Sequence, residues 1–209
     1  MSETLETPGS TRGARTRQRL LDATLRAIAA RGIGAFTVRD VVHEAESSLG
    51  VLTHHFPTRR ELLLAACNRY LERQALRTPS PRTDEPARDL DTLTHHLVAL
   101  YLERLRDDPE DFLAGREFEL EAQRGPELAA RLADAPAPHH EEVVRQLRRA
   151  GSTDPHLDAE LLAASLEGLG LRWRARPGDR ELEALLRRAT RRLVGRFFTD
   201  ASGFAGAPQ

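Results

Sequence analysis

The stretch that most constrains this chain runs from Phe36 to Leu62, FTVRDVVHEAESSLGVLTHHFPTRREL. Val38, Val41, Val42 and Ala45 recur at the spacing of one buried helical stripe. Thr37 stands just before that stripe and Asp40 follows three residues later. A hydroxyl there can accept from free backbone N–H groups, and an acid suits the positive end of a helix. Glu46-Ser47 breaks the pattern, and Ser47 or Ser48 can cap a second short helix through about His54. Pro57 stops that helix. Thr58 caps the next, with Arg59, Arg60 and Glu61 in its first turn. Two helices this short and this close bury little core of their own. Their usual use is the helix-turn-helix, with the second helix laid in the major groove of DNA.

The charge distribution points the same way. The 209 residues carry a net charge of −1, so the chain as a whole is not a polyanion binder by charge. Between Ser10 and Leu62, however, nine arginines face five acids, which gives that segment +4 and leaves −5 for the remainder. A basic N-terminal module on an acidic body fits phosphate binding by one part only. All the positive side chains are arginine, a composition that matches the abundance of alanine, glycine and proline.

The run from Ala45 to Leu62 resembles the DNA-binding segment of the TetR family of repressors. The family pattern Ala-Gly-Val-Ser-x-Gly-x-Leu-Tyr-x-His-Phe-x-x-Lys-x-x-Leu aligns on it without gaps. Ala45, Ser48, Gly50, Leu52, His55, Phe56 and Leu62 agree, and Arg59 replaces lysine. Glu46 stands in place of glycine, Ser47 of valine and Thr53 of tyrosine. A left-handed turn at Glu46 would cost about 1–2 kcal/mol. Thr53 is too short to reach a phosphate as a tyrosine would, although its hydroxyl can donate to a nearer one.

The resemblance implies an all-α protein of about nine helices. A three-helix helix-turn-helix head over residues 11–57 would be followed by an effector-binding and dimerisation domain over 58–200. It implies a regulator, typically a repressor, that reads a palindromic DNA operator as a homodimer and is released by a small molecule. Ser48, Leu49, Thr53 and His54 then face bases or the groove, and Gly50 lets the backbone approach closely. Thr37, Thr53, His55 and Arg59 hold phosphates, with Arg15 and Arg17 near the DNA backbone. The ligand would lie among the helices of the body, with His96, Tyr101, Phe112, Glu117, Phe118 and Trp173 as candidate lining. Glu117 stands between Leu113 and Leu120, where an unpaired carboxylate is costly. It could meet a ligand, or pair with Arg116, Arg124 or Arg172.

Elsewhere the residues set the frame. Residues 1–10 read as a polar arm, and the first helix as Arg15–Arg31, ended by Gly32 and Gly34. A helix from about Thr58 to Arg77 links head and body, and Thr78–Pro86 reads as a Pro-rich loop. The helix reaching Arg106 is apolar almost all round, which predicts a central position. Asp108-Pro109-Glu110-Asp111 is a strong helix start, and that helix runs to Arg124. The following helix is interrupted by Asp134–Pro138 and resumes over His139–Ala150. Two long helices, Leu157–Ala175 and Gly178–Phe198, close the chain. Ser165, Gly168 and Gly170 would admit a close neighbour. The resemblance pairs these last two helices with those of a second subunit; packing within one chain is the alternative. The tail after Thr199 reads as disordered.

Cys67, the one cysteine, reads as a buried structural thiol, and its being alone rules out an intrachain disulfide and fits the cytosol. No apolar run reaches membrane-spanning length, and the N-terminus has no signal-peptide pattern. His95-His96 and His139-His140-Glu141-Glu142 lack a metal-ligand spacing such as HExxH, so no metal and no cofactor is expected. No nucleophile elbow or glycine-rich phosphate loop marks an enzyme. An effector-independent architectural DNA binder and an activator stay open as alternatives.

Overall fold

In the computed structural model, residues 8–76, 87, 89–135, 137–176 and 178–197 are described. The side chains of 8–11, 103, 104, 107, 173 and 174 stand outside that description. The described residues form ten helices: α1 (Pro8–Arg31), α2 (Val38–Glu44), α3 (Leu49–His55), α4 (Arg59–Leu76), α5 (Leu90–Asp107), α6 (Pro109–Ala122), α7 (Pro126–Ala133), α8 (Pro138–Arg149), α9 (Pro155–Ala175) and α10 (Arg180–Phe197). The expected Thr78–Pro86 loop and the tail after Thr199 lie outside the described residues.

Ten helices replace the expected nine because the break at Asp134–Pro138 is complete. Asp134 caps α7, and Pro138 opens α8 at a position where its missing N–H costs nothing. The first helix also starts earlier than its apolar stripe, at Pro8 rather than Arg15, so the last residues of the expected arm are helical. The polar residues of that first part carry no stripe to announce it.

The helices divide into two compact units. The first holds α1–α4 together with α6 and α7. Its core joins Leu20, Leu25 and Ile28 of α1 to Val41, Leu52, Phe56 and Leu62, and to Ala114, Phe118 and Leu128 of α6 and α7. The three-helix head therefore does not close its core alone. Arg69 donates to Asp22 at 2.9 Å and ties α4 to α1. Arg60 donates to Glu127 at 2.6 Å, and Arg131 to Asn68 at 2.8 Å, tying α4 to α7. Cys67 is fully buried, and burial pushes its thiol pKa up to about 11, as suits an inert core sulfur.

The second unit holds α5 with α8, α9 and α10. Leu93, Leu97, Val98, Leu102 and Leu105 of α5 are buried, as its all-round apolar character predicts. In α10 the innermost row is Leu182, Leu186, Thr190 and Val194, whereas Leu185, Ala189 and Leu193 beside it are only half-buried. Gly170 is needed for close approach, since a Cβ there would run into the Tyr101 hydroxyl on α5. Gly168 faces open space.

Candidate nucleic-acid interface

The local sequence caps both helices of the α2–α3 pair. Thr37 caps α2: its hydroxyl accepts from Asp40 N–H at 3.2 Å, while Asp40 Oδ2 accepts from Thr37 N–H at 2.8 Å. These bonds from Thr37, aided by Arg31, hold the Asp40 carboxyl below its ordinary range. α2 ends in a Schellman motif. Ser47 N–H donates to Val42 C=O at 2.9 Å and Glu46 N–H to His43 C=O at 3.1 Å. That motif needs a left-handed residue, and Glu46 supplies it at φ 46°. Ser48 then caps α3, accepting from Val51 N–H at 3.3 Å.

α3 is anchored by Leu52 and by Phe56 just beyond its end, both buried, while Leu49, Gly50, Val51, Thr53 and His54 stand exposed. Nothing lies within 4 Å of a Cβ added at Gly50, so the backbone there is open to a partner. Thr53 donates its hydroxyl back to Leu49 C=O at 3.0 Å, which leaves its oxygen an acceptor only in this rotamer. Ser48 is exposed beside them. His55 is half-buried, with its ring 6.3 Å from that of Phe56. Arg17 lies over the Phe56 ring at 5.1 Å, which brings the α1 guanidinium to the end of α3. Arg15 is exposed on the same helix.

Arg59 is exposed at the start of α4. Its guanidinium lies over the Phe36 ring at 4.5 Å and donates to Ile33 C=O.

The effector candidates are divided between the two units. Glu117 Oε2 accepts from Ile33 N–H at 2.8 Å, and among the described contacts it forms no ion pair with Arg116, Arg124 or Arg172. Leu120, expected to share an apolar face with it, is 58% exposed. Phe118 is buried in the first unit's core against Tyr70, with ring centroids 5.7 Å apart. Phe112 is likewise buried on α6, with Arg116 over its ring at 5.8 Å. His96 and Tyr101 sit on α5 in the second unit, where His96 keeps a buried Nδ1 without a hydrogen-bond partner. The side chain of Trp173 lies outside the described residues. A cleft of about 420 Å³ at the α9–α10 junction is lined by Arg172, Arg176, Arg188 and Leu182, and among the described residues it includes none of the candidates.

Two features escaped the residue-by-residue reading. Asp111 is buried on α6 and meets Arg73 at 3.1 Å and Gln74 at 3.4 Å, both on α4. The sequence showed this acid only as a helix-start signal. The second feature is on α9, where Leu157, Leu161, Ala164, Gly168, Leu171 and Ala175 are all exposed, in an alternating spacing of four and three. That spacing is legible in the sequence and is the kind that recurs where helices pair. Among the described residues no group of histidine, cysteine and acids is placed to hold a metal, and no helix is long and apolar enough to cross a membrane.

Residues 20–66 match the family model for bacterial regulatory proteins of the tetR family. Residues 88–196 match the tetracyclin repressor-like C-terminal domain. The nicotine-responsive transcriptional repressor HdnoR of Paenarthrobacter nicotinovorans is 26% identical over 168 residues, covering 78% of this chain and 86% of that one. A TetR-family protein of Streptomyces coelicolor A3 superposes with a TM-score of 0.57 at 30% identity, over 85% of this chain and 97% of that one. The multidrug binding protein EbrR, solved with proflavin, gives a TM-score of 0.53 at 30% identity, over 85% and 99%. With an exposed α3 on a capped helix-turn-helix and both of its domains matched, the chain belongs to the TetR family of DNA-binding transcriptional regulators.

Proposed function

We propose that this chain is a repressor that binds a palindromic operator as a homodimer and is released by a small-molecule effector. The observation that carries the reading is α3, with Leu52 holding it from beneath and Leu49, Gly50, Val51, Thr53 and His54 presented outward. Ser48, Leu49, Thr53 and His54 take the bases or groove, and Arg15, Arg17, Thr37 and His55 the flanking phosphates. By function the reading head is residues 11–57, and the remainder to 200 serves sensing and dimerisation.

The exposed α9 seam supports a partner of the same kind. Three leucines at 47–54% exposure on one stripe are costly to leave in water, and small Ala164 and Gly168 in mid-helix allow a second α9 to cross closely. The half-buried Leu185, Ala189 and Leu193 of α10 would extend that face. Two heads joined this way read half-sites about one helical turn apart, roughly 34–36 Å. For the effector, support comes from relatives described as nicotine-responsive and as binding several drugs, which favours a small organic molecule.

Selection of bound sequences from random duplex DNA tests the reading. Enrichment of a two-fold symmetric site, bound less tightly as salt rises, is expected. No enrichment at low ionic strength would overturn it.

A further inference from the structure

The turn between α1 and α2 is held from two sides by residues of other helices. Gly32 takes φ 79° and ends α1, its N–H donating to Ile28 C=O at 2.7 Å. The next residue, Ile33, is 3% exposed. Its N–H donates to Glu117 Oε2 on α6, and its C=O accepts from Arg59 at the start of α4. A Cβ at Gly32 would stand 3.1 Å from the same Glu117 oxygen, so the carboxylate fills the space the glycine leaves. Arg59 also covers Phe36, the residue before the α2 cap. One residue's backbone is thus gripped by an acid from α6 and a base from α4, and α2 begins a few residues later.

We infer that Glu117 and Arg59 are positioning residues for operator recognition: together they fix the α1–α2 turn, and through it the angle at which α2 carries α3. The inference rests on the operator-binding reading. It gives Arg59, which the resemblance places among the phosphate-binding residues, a positioning use, and it gives one to the Glu117 carboxylate. It also opposes simple electrostatics. A negative charge in a DNA-binding unit weakens binding to a polyanion, so deleting Glu117 for charge reasons alone would strengthen it. Deleting it as a positioning group leaves a buried N–H unpaired and the turn loose, which weakens binding.

The test measures affinity of the full-length chain for its selected operator across a salt series. The variants are E117A, E117Q and R59M. E117A is expected to bind about tenfold more weakly, because it removes one charge-assisted bond that holds the turn. E117Q can still accept from Ile33 N–H and should stay within about threefold of the wild type. R59M should weaken binding with the salt slope unchanged, whereas removing an arginine that neutralises a phosphate would lower that slope by about one. Hydrogen exchange at Ile33 should quicken in E117A and not in E117Q. If E117A melts cooperatively and binds as tightly as the wild type, Glu117 does not position the head. If R59M flattens the salt slope, Arg59 binds a phosphate after all. R59M and the exchange rate in E117Q keep the test decisive should E117A not fold. A wild-type chain that selects no duplex overturns the operator reading itself, whereas clean wild-type binding with E117A unaffected overturns only this one.

Discussion

α3 and α6 both set polar side chains against an apolar background, and the two helices use them in opposite ways. On α3 the polar residues Thr53 and His54 are exposed, and the bonds found there are local, such as Thr53 to Leu49. On α6 two of the acids turn inward: Asp111 meets Arg73 and Gln74 of α4, and Glu117 meets the Ile33 N–H. A polar group at the surface is available to a partner molecule. The same group inside must be satisfied by the fold, and once satisfied it is structure. Both helices attract attention as candidate sites in the sequence, and burial separates them.

The largest expected effect tests whether the exposed face of α3 acts in pairs. Leu161→Glu puts a charge on the exposed α9 seam, which costs the isolated chain little. It should split the proposed dimer, seen by sedimentation, and weaken operator binding by about a hundredfold or more because the second head no longer engages. A variant that sediments and binds like the wild type would remove the seam from the interface.

The next effect is on α6. Asp111→Ala removes the buried acceptor shared by Arg73 and Gln74 while Asp22 stays 3.7 Å from Arg73, and should lower stability by about 2 kcal/mol, read as a fall in the urea midpoint. A change under about 0.5 kcal/mol would place this pair with inconsequential surface ion pairs.

On the exposed side the effects are smaller. Thr37→Ala removes the α2 cap and should cost about 1 kcal/mol. The cap also has a pH signature. Asp40 is held below its ordinary range by Thr37, so its contribution is fully present above the unfolded carboxyl pKa of about 3.9 and is lost as pH falls through the lower folded value. The lead of the wild type over Thr37→Ala should therefore shrink below about pH 4, and a lead constant from pH 7 to 3 would contradict the assignment. Smallest, and of opposite sign, Glu46→Gly relieves the left-handed strain at φ 46° and should raise stability by about 1 kcal/mol. Thermal melts of the two proteins decide it; a fall in stability would mean the Glu46 side chain makes a favourable interaction.

The local chemistry of the head was legible residue by residue. Thr37 and Ser48 as caps, the break at Glu46, Phe56 as anchor and the apolar circumference of α5 all follow from spacing and side-chain type. The start of α1 at Pro8 was not legible, because a polar helix without a stripe carries no periodic signal. Nor was the partner of Glu117. Proximity in sequence favours Arg116 or Arg124, but the partner that satisfies it is a backbone N–H 84 residues away.

The sequence alone determined that this chain is helical, where most of its helices begin and end, and that a basic reading head precedes an acidic body. Those properties depend on groups within a few residues of one another, which the order of residues fixes directly. Only the tertiary structure decided that α6 and α7 close the core of the head, that Arg59 and Glu117 grip the backbone of one residue, and that one stripe of α9 is left uncovered. Each of these depends on which distant surfaces meet and exclude water. Side-chain type says that a carboxylate must be satisfied or solvated; packing alone decides which.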